Sequence, residues 1–319
     1  PNGHGISGEN VMKKDFINLD NINKEDLKKI LNFGISSKEN YLNNIEKNLN
    51  FSNKTGVLLF EKPSLRTKLS FFRALNYLGI NPIYFDPKEV GMGGREKISD
   101  VAKVLSKMCD LVILRTFKQE TIEEYSVNSS VPVINALSDQ EHPCQALGDI
   151  ISILEKTNHE VEKTKLTFIG DGNNVATSLS KAFSILGGTF IHSCPEGFEI
   201  PSKHLSKINE FNKLSKGKFI LERDPKKASA DTDVVYTDVW ASMGQESEED
   251  ERKRKFEGYQ VNESLLENSN AIFMHDLPAH HGEEISEGLV DHKKSIVFDQ
   301  AENRIWGQVG VIKYLMNLK

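Results

Sequence analysis

The sequence predicts an α/β protein made of two doubly wound domains with parallel sheets. Three observations predict it: short β-rich runs recur, helically spaced apolar residues lie between most of them, and the alternation falls into two halves. In the first half the runs are GVLLF (56–60), PIYF (82–85), LVILR (111–115) and VPVIN (131–135). In the second they are KLTFIG (165–170), TFIHSC (189–194), KFIL (218–221), DVVYTDVW (233–240), AIFMH (271–275) and SIVF (295–298). Leu69, Phe72, Leu75 and Leu78 share one helical face before Gly79. Leu147, Ile150, Ile151 and Leu154 follow the same rule, as do Val175, Leu179, Phe183 and Leu186 before Gly187.

A chain of 319 residues is long for one core, so about two domains are expected. The polar stretch 155–165 marks the boundary. We read 12–150 as the first domain and 151–303 as the second, and residues 1–11, which lack periodicity, as an expression remnant or disordered tail. A net charge of -6 speaks against a general nucleic-acid surface. No apolar run approaches the roughly 20 residues of a membrane span, and no secretion signal opens the chain, so a cytoplasmic location is expected. Cys109, Cys144 and Cys194 are scattered and odd in number, which suggests reduced thiols and neither disulfides nor a zinc site.

Ligands of open α/β sheets sit beyond the carboxyl ends of the strands. FEKPSLRTK places Ser64 as the cap of a helix that starts near Arg66, so backbone N–H groups, two hydroxyls and a guanidinium converge on one spot suited to a phosphate. Arg115 ends LVILR, His142 and Gln145 open a helix in EHPCQALGD, and Arg304 follows SIVFDQA. Taken singly, each of these is equally an ion-pair partner or a helix-start residue. IGDGNN is a weak dinucleotide fingerprint, with only Gly170 and Gly172. TDVWASMG and HDLPAHHGEE bring Asp238, Ser242, Met243, Asp276 and Leu277 to the same sheet edge, an acidic rim facing an anion-binding one. The charge-dense 245–258 segment reads as a solvated face or a lid.

In order along the chain, FEKPSLRTK, GGREKISDVAKVLS, HPCQALGD, GDGNNVATSL, DVWASMGQE, FEGYQVN, HDLPAHHGEE and FDQAENRIW resemble the ornithine carbamoyltransferases, over about residues 15–318. The resemblance implies two domains joined by crossing helices, with the C-terminal helix 304–319 completing the carbamoyl-phosphate domain, and a homotrimer or a multiple of it. It implies transfer of a carbamoyl group from carbamoyl phosphate to L-ornithine, a step of arginine biosynthesis, with no metal and no organic cofactor. Ser64, Leu65, Arg66 and Thr67 would hold the phosphate with Arg304. Arg115, His142 and Thr67 would polarise the carbamoyl oxygen, and Gln145 would orient its nitrogen. Leu277 would complete the carbamoyl-phosphate site, and Asn174, Asp238, Ser242 and Met243 would grip ornithine. Alternatives are another amine acceptor or a silent ligand-binding relative.

The chain departs from this pattern at Asp276, where the family usually has cysteine, and at Lys68, where arginine is usual. An ionised Asp276 would either hold the acceptor as ammonium or take its proton as a base, so it is counted with Arg115, His142, Asp238 and Arg304 among the catalytic candidates.

Overall fold

A computed structural model describes residues 12–45, 51–157, 160–242, 244–267 and 269–316. The first sheet contains β1 (Thr55–Phe60), β2 (Asn81–Phe85), β3 (Leu111–Arg115) and β4 (Val133–Leu137), all parallel in the order β2–β1–β3–β4. The second contains β5 (Lys165–Ile169), β6 (Thr189–Ser193), β7 (Lys218–Leu221), β8 (Val234–Thr237) and β9 (Ile272–His275), parallel in the order β7–β6–β5–β8–β9. Helices cover the faces, so the inner strands β1, β3, β5 and β8 are buried almost throughout, whereas the edge strands β2 and β7 are not.

The helix Pro143–Thr157 leads from the first sheet toward the second, and the helix Val297–Leu315 returns to pack on it and on the helix Lys24–Leu42. These crossing helices approach closely because small residues line the contact. A Cβ at Gly310 would lie 2.3 Å from the Ile30 carbonyl oxygen, and one at Gly148 would lie 3.1 Å from the Arg304 nitrogen. Gly148 thereby lets the C-terminal helix bring Arg304 against the first domain.

Three sequence expectations change. SIVF is not a tenth strand: Ser295 makes a single bridge to Phe273, and Val297 starts the returning helix. A four-residue apolar run fits either structure, and here Val297 joins the buried face of the returning helix while Phe298 is exposed. The fourth strand lies at 133–137 and not at 131–135, because Pro132 can accept from Val112 but has no N–H to extend the ladder. On the helix Leu65–Tyr77 the buried stripe is Thr67, Ser70, Phe71, Ala74 and Leu75, while Leu69 is 59% exposed. Two faces of that helix have apolar spacing, and contact with the sheet and the returning helix selects one. Among the described residues no helix is long and apolar enough to cross a membrane, and all three cysteines are buried and unbridged.

Candidate active site

In each sheet the chain reverses its direction of winding once, between β1 and β3 and again between β5 and β8. Such switch points leave a crevice at the carboxyl ends of the strands. Both crevices open onto one cavity of about 860 Å³. Of the sequence-predicted residues, Ser64, Leu65, Arg66, Thr67, Arg115, His142, Gln145, Asn174, Asp238, Ser242, Asp276, Leu277 and Arg304 all line it. Met243 lies outside the described residues. Lys68 turns away and places its ammonium 3.6 Å from the centre of the Tyr84 ring.

Ser64 follows β1 with extended backbone and caps the helix Leu65–Tyr77, its Oγ accepting from the Thr67 N–H at 3.3 Å. The N–H groups of Leu65 and Arg66 have no acceptor within the helix and face the cavity end. Arg115 Nη1 and Arg304 Nη2 both donate to Thr67 Oγ1, at 3.3 and 3.2 Å. Both guanidinium groups are buried, and Nε of each lacks a hydrogen-bond partner. Burial first, then the charges of Arg304 and Arg66, lower Arg115 to about 10. Lys62 at the same wall is lowered to about 8 by burial and by Arg115. Cations packed this closely in a desolvated pocket create a site for a multiply charged anion.

Burial, reinforced by Arg304, Arg115 and Lys62, holds His142 well below the usual histidine range, so its ring is neutral. Its Nδ1 is buried and unpartnered. Gln145 is oriented from both sides: its Oε1 accepts from Arg304 Nη1 at 2.8 Å, and its Nε2 donates to Asp149 Oδ1 at 2.9 Å. Asp149 also accepts from Gln300 Nε2 at 2.8 Å and from the Tyr236 hydroxyl at 2.9 Å, and burial raises it to about 6.

Across the cavity, Asp238 follows β8 and accepts from Asn173 Nδ2 and the Val239 N–H, both at 2.7 Å. Asp276 follows β9. One carboxylate oxygen of each, with a nitrogen of His275, lies within 4.8 Å of the others. Asp276 Oδ1 is buried without a hydrogen-bond partner, and burial followed by the charge of Asp238 pushes this carboxyl well above its ordinary range. His275 is not available as a metal ligand, because Nδ1 accepts from the Leu277 N–H and Nε2 faces Glu284 Oε1, both at 2.8 Å. Leu277 has φ 62°, a left-handed turn that folds it over the cavity. Asn174 reaches the wall, but its amide donates to the Ser138 carbonyl at 2.9 Å.

At the mouth, Glu246 and Glu249 come from the charge-dense segment, and His280, His281 and Glu283 from the turn after β9. That segment is not wholly solvated. Arg252 is only 11% exposed and donates to Asp171 Oδ2 at 3.1 Å and to the Trp240 carbonyl at 2.9 Å. Sequence reasoning missed Lys62, Asp149, Tyr236 and Gln300. Lys62 stands two residues before Ser64 and Asp149 one helical turn after Gln145, so both carried a positional signal; Tyr236 reads as a core strand residue and Gln300 follows a run read as strand.

The carbamoyl-phosphate-binding domain model of the aspartate/ornithine carbamoyltransferases matches residues 14–155, and the Asp/Orn-binding domain model matches residues 162–315. The chain therefore belongs to the aspartate/ornithine carbamoyltransferase family, and it is a carbamoyl-transferring enzyme. An ornithine carbamoyltransferase of Picrophilus torridus is 40% identical over 309 residues, 96% of this chain and 100% of the relative. One of Thermoplasma acidophilum, named as catabolic, is 38% identical over 309 residues, again 96% and 100% of the two chains. Among solved structures, the ornithine carbamoyltransferase of Pyrococcus furiosus superposes with a TM-score of 0.92 at 38% identity, covering 96% of this chain and 98% of that one.

Proposed function

We propose that the cavity carries the carbamoyl group of carbamoyl phosphate to the δ-amine of L-ornithine, yielding L-citrulline and phosphate. The observation that carries this reading is the pairing of two buried guanidinium groups, Arg115 and Arg304, at a helix N-terminus with two carboxyl groups, Asp238 and Asp276, across one cavity. The dianionic donor belongs at the first pole and the cationic acceptor at the second.

Ser64, Leu65, Arg66 and Thr67 bind the phosphate with Arg304, and Leu277 closes the donor site. Arg115, Thr67 and neutral His142 face the carbamoyl oxygen, and Gln145 orients the carbamoyl nitrogen. The ornithine ammonium first gives a proton to a carboxylate, and Asp276 in its ionised form, whose proton affinity burial and Asp238 raise, is the base suited to take it. The neutral nitrogen then attacks the carbamoyl carbon, and charge grows on the carbonyl oxygen, where donors already in place stabilise it more than the ground state. Collapse breaks the bond to the phosphate oxygen, the attacking nitrogen gives up its second proton to the departing phosphate, and Arg304 and Arg66 meet the departing charge. Asn174, Asp238, Ser242 and Met243 bind ornithine.

We assign 12–150 with 304–319 to the donor half and 151–303 to the acceptor half, supported by the packing of the returning helix on the first domain. A cytoplasmic place in arginine biosynthesis and assembly as a homotrimer complete the proposal. The assembly is supported by exposed apolar side chains on the first domain, Leu65, Leu69, Met108 and Phe117. Light scattering on the eluting protein checks it, and a monomeric mass would refute it.

The test of function is citrulline formation with ornithine beside putrescine, lysine, N-acetylornithine and aspartate as acceptors. Turnover with ornithine alone is expected; turnover only with another amine would reassign the acceptor pole.

A further inference from the structure

We infer that Ser178, with Asn174 and Lys181 on the same face of its helix, is a positioning residue for His142, so that the acceptor half of the molecule places a histidine of the donor half. The inference rests on the role given to His142 above.

The helix Asn174–Leu186 is buried from Val175 to Leu186, yet it carries polar and charged side chains that need partners in so dry a place. Residues 174, 178 and 181 recur at i, i+4 and i+7, hence on one face. Their partners are Ser138, Glu141 and His142, within one turn of the other half, with Asp20 as a further partner of Lys181. Asn174 Nδ2 donates to the Ser138 carbonyl at 2.9 Å, the His142 backbone N–H donates to Ser178 Oγ at 2.8 Å, and Ser178 Oγ donates to Glu141 Oε2. Lys181 Nζ donates to Glu141 Oε1 and, at 2.6 Å, to Asp20 Oδ1. The turn 138–142 is therefore held at both ends by one helix stripe.

Stability does not account for such a stripe. The Lys181 and Glu141 side chains are 0% and 2% exposed, and a buried ion pair gains about as much as its desolvation costs, so an apolar pair would serve equally well in a core. The stripe does specify registry: the hydroxyl of Ser178 accepts from the one backbone N–H that carries the His142 ring into the cavity. Because that ring has an unpartnered Nδ1 among the cations of the donor pole, a small displacement changes what it can reach.

A double-mutant cycle on kcat tests the inference, with thermal melting recorded alongside. Ser178→Ala is expected to lower kcat about 10-fold or more while Ser178→Thr, which keeps the hydroxyl, restores most of it. In a His142→Ala background Ser178→Ala is expected to have little further effect, since it acts through the ring already removed. Equal losses in both backgrounds, or a lowered melting temperature with kcat unchanged, would overturn the inference and make the stripe purely structural. If His142→Ala alone leaves kcat intact, the assigned role of His142 fails and the inference with it. Should Ser178→Ala not fold, the paired change Lys181→Met with Glu141→Gln removes the buried charges together and is read by the same cycle.

Discussion

Arg115 and Arg304 donate to one and the same oxygen, Thr67 Oγ1, although one ends a strand of the first sheet and the other lies on a helix that returns from the second. The hydroxyl can satisfy neither charge. It sets the spacing of two guanidinium groups whose ligand must be an anion, and that arrangement supplies the first prediction.

Replacing Arg304 by lysine keeps the charge and removes the planar fork that holds Gln145 and Thr67 together. Arg304→Lys is expected to lower kcat by on the order of 100-fold, with little change in melting temperature. Steady-state kinetics check this, and a variant within a few-fold of the parent would remove Arg304 from the transition state.

Asp276 is held protonated well above the usual carboxylate range by burial and by Asp238. In the proposed reaction the base is its ionised form, so kcat/KM for the acceptor should rise with pH as Asp276 loses its proton and should be low on the acid side. Asp276→Asn should cost about 100-fold or more and erase that limb, and Asp276→Cys should move it. A pH profile identical in parent and variants would show that Asp276 takes no part in proton transfer.

Arg252 pins the charge-dense segment to Asp171 and to the Trp240 carbonyl, beside the Ser242 stretch at the acceptor pole. Arg252→Met is expected to raise KM for ornithine several-fold and to leave KM for carbamoyl phosphate unchanged. Both constants rising together would mean that the segment supports the whole fold and not the acceptor pole.

At the crossing of the helices, a methyl group at Gly310 would meet the Ile30 carbonyl oxygen at 2.3 Å, and neither backbone can move aside freely. Gly310→Ala is expected to destabilise the protein by roughly 1–3 kcal/mol through overpacking. Chemical denaturation measures it; an unchanged midpoint would show that the helices can separate without cost.

Much of this site was legible before the fold was known, for a local reason. Ser64 before a helix, Arg115 at a strand end, Asp238 late in one apolar run and Asp276 just past another are chemical groups near the termini of elements, and alternation already places those termini at one sheet edge. The same logic failed where an element was misread: Gln300 belongs to a helix whose first residues look like strand, and Leu69 has helical spacing but faces solvent. Apolar spacing identifies a helix, whereas the side it buries depends on what packs against it.

Sequence alone thus determined the alternating architecture in two halves, the apolar runs from which its strands come, and about half of the residues lining the cavity, because periodicity and end-of-strand position are properties of short segments. Only tertiary structure decided that Arg304 crosses back to share Thr67 with Arg115, that Tyr236 and Gln300 orient Gln145 through Asp149, that Asp276 loses its solvent beside Asp238, and that Ser178 holds the backbone of His142. Each of these joins residues far apart along the chain, and their hydrogen bonds and charge shifts depend on distance and burial, which come into being only when the two sheets and the crossing helices pack together.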